Sequence, residues 1–429
     1  MSHNVNRRAF LKASATLAGL AAAQHTLPAW MPRLAFAQPY NNPRGDVLVV
    51  IFLRGGADSM NMIVPYAEDA YYTARPTLAI PRPDANTGAK ALDLDGFFGL
   101  HPALAPLLPI FQGGGMTAVH AAGSPHATRS HFEAMSFMER GTPGSYDVTT
   151  GWVGRHLASL DTGSTSPVRG IGWGTAVQQA LSGGPSIVAM QSIINYHLNG
   201  DTQSAANMLA SLGSLYSLES ESLSAAALST QAAIEVVASV GYANYTPQNG
   251  ATYPEYEFAM ALRQTAALAR ADVGLEVACI DLGGWDTHAQ QGSVEGDQAL
   301  LMLQLAGGLA AFHQDMGADM NRVTVVVMSE FGRRLAENAS LGTDHGHGGA
   351  LLLMSDNLSA APVVANWVGL TPDVLDRGED LPITTDYRDV LTEVLTRRLN
   401  NDQVNSVFPD YAPQSLNLFN GQMSSQPPA

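Results

Sequence analysis

Two stretches of this chain, "DVLVVIFLRGGADSMN" from Asp46 and "NRVTVVVMSEFGRR" from Asn321, run almost continuously apolar and then break into polar, glycine-containing loops. Strands that are apolar at every position are buried on both faces, as in a parallel sheet covered by helices. "GMTAVHAAGS" and "GLEVACIDLGGWDTH" have the same form. The spacing predicts a strand over about 47–53, a helix beginning near Phe132 in "PHATRSHFEAMSFMERG", and a crossover helix in "VEGDQALLMLQLAGGLAAFHQDMG" between the third and fourth strands. Strand, helix, strand in this order means an α/β fold with a mostly parallel central sheet. Ligands of such sheets gather beyond the carboxyl ends of the strands, where these polar loops lie.

From about 200 to 270 the chain turns rich in Ala, Leu and Ser at helical spacing, which predicts a helical insertion capping the sheet. No fixed-period repeat is present. The single cysteine, Cys279, excludes an intrachain disulfide, and its alternating neighbours "LEVACIDL" make it a core residue.

The amino terminus carries Arg7-Arg8 followed by Phe10, Leu11, Lys12 and an apolar stretch, with a small-x-small site at Ala35-Phe36-Ala37. It resembles a twin-arginine signal peptide over residues 1–37. Gln24, His25 and Pro28 break the apolar stretch before the roughly 20 residues that a membrane span needs. The expected destination is the periplasm or the exterior, with the twin-arginine translocation machinery as partner and no stable membrane span after cleavage. Removing the signal takes away four basic residues and no acid, so the net charge falls from −16 to −20. So acidic a chain excludes nucleic acid and anionic membrane surfaces as partners.

The loops contain the chemistry. Asp58 follows the first strand, Asp286 and His288 stand in "GGWDTH" after the third, Glu330 in "SEFGR" after the fourth, and Asp344, His345 and His347 in "SLGTDHGHGGALLLM". Carboxylates and imidazoles without thiolates suit divalent Zn, Mn, Fe or Ca and exclude a cysteine-type structural zinc site. Each also has a plainer reading: Asp58 as a turn cap, Asp286 as an Asx-turn residue, Glu330 as the partner of Arg333 or Arg334. His101, before Pro102, reads as a cap. Trp152 and Arg155 read as packing, and His131 either lines the site or packs beneath it. The absence of a G-x-S-x-G elbow excludes the usual Ser-His-Asp esterase.

Taken in order, "FLRGGADSMNMIVPY", "RSHFEAM", "GGWDTH", "SEFGRR", "GTDHGHGG" and "DYRDVLTEVL" resemble the signature stretches of bacterial proteins grouped as domain of unknown function 1501. The resemblance covers roughly residues 45–400 and leaves 401–429 as a C-terminal tail. That family is similar to the alkaline phosphatase-like superfamily, which includes sulfatases. The resemblance implies an α/β/α sandwich and a two-metal centre that activates a nucleophile. It makes Asp58 and Glu330 ligands of one ion, and Asp286, His288 and His345 ligands of a second. His347 would bind metal or the ester oxygen, and Asp344 would orient an imidazole. Where the superfamily has His after the ligand carboxylate, this chain has Phe331.

The nucleophile stays open between Ser130, Thr128 and Ser59, with Arg129 facing an anionic substrate. "SHFE" also reads as a capping box in which Glu133 reaches back to Ser130. Two functions follow: an exported metal-dependent hydrolase of phosphate or sulfate esters, or a non-catalytic metal-binding or interaction protein on the same scaffold. Replacing Arg7 and Arg8 with Lys is expected to leave unprocessed precursor in the cytoplasm, measured by fractionation and immunoblotting. Normal processing of the double variant would remove the twin-arginine assignment.

Overall fold

The computed structural model describes residues 45–198, 202–216 and 221–420; the expected signal segment lies outside them. Strand β1 (Val47–Leu53) is buried at all seven positions. Its alternate residues serve two different cores: Val47, Val49, Ile51 and Leu53 join one, and Leu48, Val50 and Phe52 the other. A strand with two buried faces has no use for polar residues, which is why β1 reads as a continuous apolar run.

Around it lies a nine-stranded sheet. The other strands are β2 (Met116–Gly123), β3 (Gly170–Trp173), β4 (Ile187–Met190), β5 (Val277–Leu282), β6 (Val323–Ser329), β7 (Gly349–Met354), β8 (Val363–Val364) and β9 (Thr385–Asp386). Their order is β8-β2-β7-β6-β1-β5-β3-β4, with β9 also paired to β2. β1 is parallel to β5, pairing Leu48 with Val277, and to β6, pairing Val47 with Val323. Among these strands only β7 runs the other way, antiparallel to both β2 and β6. Its reversal means that the segment entering it, residues 330–348, leaves and rejoins the sheet at the same edge, beyond the carboxyl ends of β1, β5 and β6.

The helices form two layers. On one face lie α5 (Glu257–Arg270) and α6 (Asp297–Met316), which bring Phe258, Leu262, Leu305, Leu309 and Phe312 into the first core. They approach closely at Gly308, where a Cβ would stand 2.7 Å from the Phe258 ring. On the other face lie α1 (His131–Arg140), α2 (Trp152–Ser159) and α7 (Tyr387–Glu393), with Trp152, Val153, Tyr387 and Leu391 in the second core. The architecture is therefore an α/β/α sandwich. Of the expected helical insertion, α3 (Thr202–Tyr216) packs on α4 (Glu221–Ser239), and α4 joins the first core through Ala233, Val236 and Val237. Helix α5 belongs to the sandwich, because its Ala-rich surface lets it pack against α6 and β5.

Several plain readings hold. Cys279 is buried in β5. His101 caps a short helix, accepting the Ala103 N–H at 3.0 Å. Trp152 is core, and Arg155 is taken up by the Val407 and Thr150 carbonyls. Residues 401–420, expected as part of a tail, instead pack onto the second face through Val407, Phe408 and Leu418. Among the described residues no helix is long and apolar enough to cross a membrane.

The C-terminal segment is tied by a buried carboxylate. Glu393 accepts the N–H groups of Leu416, Asn417 and Leu418 at 2.5–2.7 Å. Glu393→Gln is expected to cost about 1–3 kcal/mol, the penalty of leaving buried donors without an acceptor, and to speed amide exchange at 416–418. Unchanged exchange at those amides would show that the segment is held by its apolar contacts alone.

Candidate metal centre

Four loops meet at the carboxyl edge of the sheet. The loop after β1 lies against the loop after β5 so closely that a Cβ on Gly55, whose φ is +123°, would stand 2.5 Å from the Asp286 nitrogen. Only glycine meets both demands. Buried Trp285 anchors the second loop. The chain leaving β6 and the chain entering β7 pair with each other, Gly346 N–H to the Gly332 carbonyl, Arg334 N–H to Asp344 and Gly332 N–H to His347, each at 2.9–3.0 Å. The fourth loop follows β2 and ends at Ser130, where α1 begins.

One side chain gathers three of these loops. Arg333, with no exposed surface, donates from Nε to the Gly56 carbonyl at 2.6 Å and from Nη1 to Thr343 at 2.8 Å. Its Nη2 donates to the carbonyls of Gly55 and Trp285 and to Asp286 Oδ1, the last at 2.7 Å. All three guanidinium nitrogens donate, and together they reach five acceptors.

The Asp286 Oδ1 atom so fixed is also the meeting point of three imidazoles. The Nε2 atoms of His288, His345 and His131 lie 3.1, 3.2 and 3.3 Å from it. His288 Nε2 and His345 Nε2 are 2.9 Å apart. Bonds of about 2.0–2.2 Å in a tetrahedral zinc site place donor atoms about 3.3 Å from one another.

Each ring is oriented from behind. His131 Nδ1 faces Glu330 Oε1 at 2.6 Å, His288 Nδ1 faces Asp344 Oδ1 at 2.9 Å, and His345 Nδ1 faces the Arg129 carbonyl at 2.8 Å. Carboxylates and carbonyls only accept, so each Nδ1 carries the hydrogen and each Nε2 presents its lone pair to the common point. The buried Nε2 of His131 has no hydrogen-bond partner among the described residues. The donor atoms of His131, Asp286 and His345 all lie within 4.8 Å of one another, with His288 Nε2 joining through Asp286 and His345, and lone pairs so close repel one another unless a cation lies among them. Burial works against the Asp286 charge, yet the Arg333 guanidinium beside it holds its carboxyl down, at about 2. Burial also lowers the pKa of His345, keeping the ring neutral and its lone pair available. The donor set therefore fits a divalent ion of the zinc type.

Of the residues named from sequence, Asp286, His288 and His345 come together, and Asp344 stands behind His288. His131, whose sequence reading was undecided, completes the cluster. Its place after β2, at the same edge as the other loops, was the available signal. Glu330 does not meet Asp58. It is buried and accepts from His131, the Gly55 N–H at 2.8 Å and the Ser329 hydroxyl at 3.1 Å. Asp58, also buried, is ion-paired with Arg75. His347 turns to Asp376 at 2.9 Å. Phe331 is buried, its ring centroid 4.9 and 5.0 Å from those of His131 and His345; it packs against the imidazoles.

The hydroxyl candidates separate as well. Thr128 donates to Glu133 at 2.8 Å, so Glu133 does not close the expected capping box, and the Ser130 side chain makes no cap hydrogen bond. Ser130 lies between Arg129, whose carbonyl holds His345, and His131 itself. Ser59 is buried, its hydroxyl unpartnered among the described residues. The Arg129 side chain is ion-paired with buried Asp380.

Arg333→Lys keeps the charge but cannot make the forked set of contacts. It is expected to weaken metal binding by about 10–100-fold, the usual effect of losing a group that orients a ligand, and to lower the melting temperature. An unchanged zinc affinity, measured by competition with a chelating dye, would show that Asp286 is positioned without Arg333.

Among solved structures are three distant likenesses, each at a TM-score of 0.32. The C-terminal periplasmic domain of EcEptC from Escherichia coli, in complex with Zn, is 10% identical at a TM-score of 0.32 and covers 74% of each chain. Ps i-CgsB in complex with k-i-k-neocarrahexaose is 11% identical at a TM-score of 0.32, over 75% of this chain and 69% of that one. BT1596, a 2-O GAG sulfatase, is 9% identical at a TM-score of 0.32, over 87% of this chain and 73% of that one. No curated protein matches the sequence. Residues 111–360, more than half of the chain and the span that holds His131, Asp286, His288 and His345, match the family described as "Protein of unknown function (DUF1501)", and the chain belongs to that family.

Proposed function

We propose that this is an exported metal-dependent hydrolase of phosphate or sulfate esters, with a divalent ion held by His131, Asp286, His288 and His345 and with Ser130 as nucleophile. The observation that carries the proposal is the convergence of three imidazole lone pairs on one carboxylate oxygen, each ring locked from behind by an acceptor. When bound, the ion would supply Lewis-acid polarisation of a phosphoryl or sulfuryl oxygen. The side chains of Asp286 and His288 are 46% and 43% exposed, so a substrate reaches the cluster from solvent.

Ser130 is at the start of α1, a ten-residue helix whose first amides favour an anion. In the reaction proposed, Ser130 Oγ bonds to phosphorus or sulfur, the bond to the leaving alkoxide breaks, and the Ser130 proton passes to the departing alcohol. Water then cleaves the serine ester and releases phosphate or sulfate. Of the hydroxyls considered, Ser130 is the one beside the cluster with no cap or acidic partner, since Thr128 is held by Glu133.

One observation favours a second reading, a non-catalytic metal-binding protein: four protein donors are the complement of a closed structural site. A screen of the mature protein with chromogenic phosphate monoesters, phosphate diesters and sulfate esters separates the two. Turnover is expected in at least one class and is expected to stop on chelation. Ser130→Ala is expected to lower kcat on the order of 10³-fold or more with metal content unchanged. Full activity in Ser130→Ala would exclude Ser130, and a metal-loaded protein inert toward all three classes would leave the second reading standing.

A further inference from the structure

We propose that the centre takes one divalent ion and not two, because the Arg75 guanidinium occupies the place beside Asp58 that a second ion would need. The inference rests on the metal-binding reading above and concerns how many ions that reading allows.

A second ion at the place that the resemblance gives it would draw on Asp58 and Glu330. Each of their four oxygens is already engaged. Asp58 Oδ1 accepts from Arg75 Nη2 at 3.0 Å, and Asp58 Oδ2 accepts from Arg75 Nη1 at 2.6 Å and Gln291 Nε2 at 2.7 Å. Glu330 Oε1 accepts from Gly55 N–H and His131, and Glu330 Oε2 lies 3.1 Å from Ser329 Oγ, whose one proton it shares with the Leu53 carbonyl at 2.7 Å.

Arg75 cannot step aside. It has no exposed surface, and all five of its N–H groups are used: beyond Asp58, Nη1 donates to Asn61 Oδ1 at 2.7 Å, Nη2 to the Arg334 carbonyl at 2.9 Å and Nε to the Leu335 carbonyl at 2.8 Å. An ion on Asp58 would leave this guanidinium buried without a counter-ion, the most unfavourable way to break a buried pair. The same pair is built into the walls of the cluster. Gln291, which donates to Asp58, accepts the hydroxyls of Thr287 and Thr343 at 3.0 and 2.7 Å, and these stand beside His288 and Asp344. Arg75 thus supplies the positive charge that Asp58 requires, from within the chain. Phe331, buried against His131 and His345, fills the adjacent volume with a ring that has no donor atom.

The test is a count. Metal-free mature protein is equilibrated with excess zinc chloride, freed of unbound zinc by gel filtration, and assayed for zinc per chain by mass spectrometry, for wild type, His345→Ala and Asp58→Asn. The expected result is one zinc in wild type, loss of that zinc in His345→Ala, and one zinc retained in Asp58→Asn with a lower melting temperature. Two zinc ions in wild type would overturn this inference and leave the metal-binding proposal intact. No zinc in wild type would overturn both. A natively folded Asp58→Asn, judged by circular dichroism, that binds no zinc would make Asp58 a ligand and overturn the inference; should that variant not fold, the wild-type count decides alone.

Discussion

The site depends on one buried cation. Arg333 has no contact with solvent, and its three nitrogens donate to five acceptors on the loop after β1, the loop after β5 and the segment before β7. Loop carbonyls at the end of a parallel sheet have no strand partner and would otherwise need water. A guanidinium under the loops satisfies them and aims one more N–H at the oxygen around which the imidazoles gather. The position of Asp286 Oδ1 is therefore set by the same group that holds the loops in place, and a loop cannot shift without disturbing the ligand. Arg75 acts in the same way deeper in the fold, where its charge is matched by Asp58 and its remaining donors secure the carbonyls of Arg334 and Leu335.

Rigidity at the cluster follows from what stands behind each ring. Glu330, Asp344 and the Arg129 carbonyl fix the tautomer and the tilt of His131, His288 and His345. Two of the three are carboxylates, which increase the basicity of the imidazole they hold. Glu330 raises the pKa of His131 through its hydrogen bond, against the opposing effect of burial. Close backbone approach completes the arrangement: a Cβ on Gly342 would fall 2.4 Å from the His288 carbonyl carbon, and one on Gly346 would fall 2.3 Å from that of Arg333. The glycines in "LGTDHGHGG" are there because the loop is pressed against its neighbours.

Much of this was legible in the sequence because burial writes directly into composition. Strands covered on both faces become unbroken apolar runs, so β1, β2, β5 and β6 and the helices α1 and α6 could be placed, and with them the edge at which Asp286, His288 and His345 meet. The roles of the remaining acids were not legible, since a carboxylate that binds a metal and one that binds a guanidinium are the same letter. Asp58 differs from a ligand only because Arg75, 17 residues on, folds back beneath it, and no periodicity marks that return. Glu330 likewise acts through His131, 199 residues away in the chain. The reversal of β7 was hidden for a different reason: an apolar strand reads the same in either direction.

That reversed strand ties two events together. Among the described strands, β7 is the only link between the β8-β2-β9 side of the sheet and the side containing β6, β1, β5, β3 and β4. Until it inserts, the chain is two half-sheets, with His131 following one of them and Asp286 and His288 following the other. The segment that delivers His345 is the one that leads into β7. Its insertion closes the sheet, joins the halves and brings the last imidazole to the cluster in a single step. Contacts between residues so distant in sequence form late in folding, after the costs of loop closure have been met. A chain with its halves unjoined lacks the assembled cluster, so the side chains from the two halves stand together only once the sheet has closed.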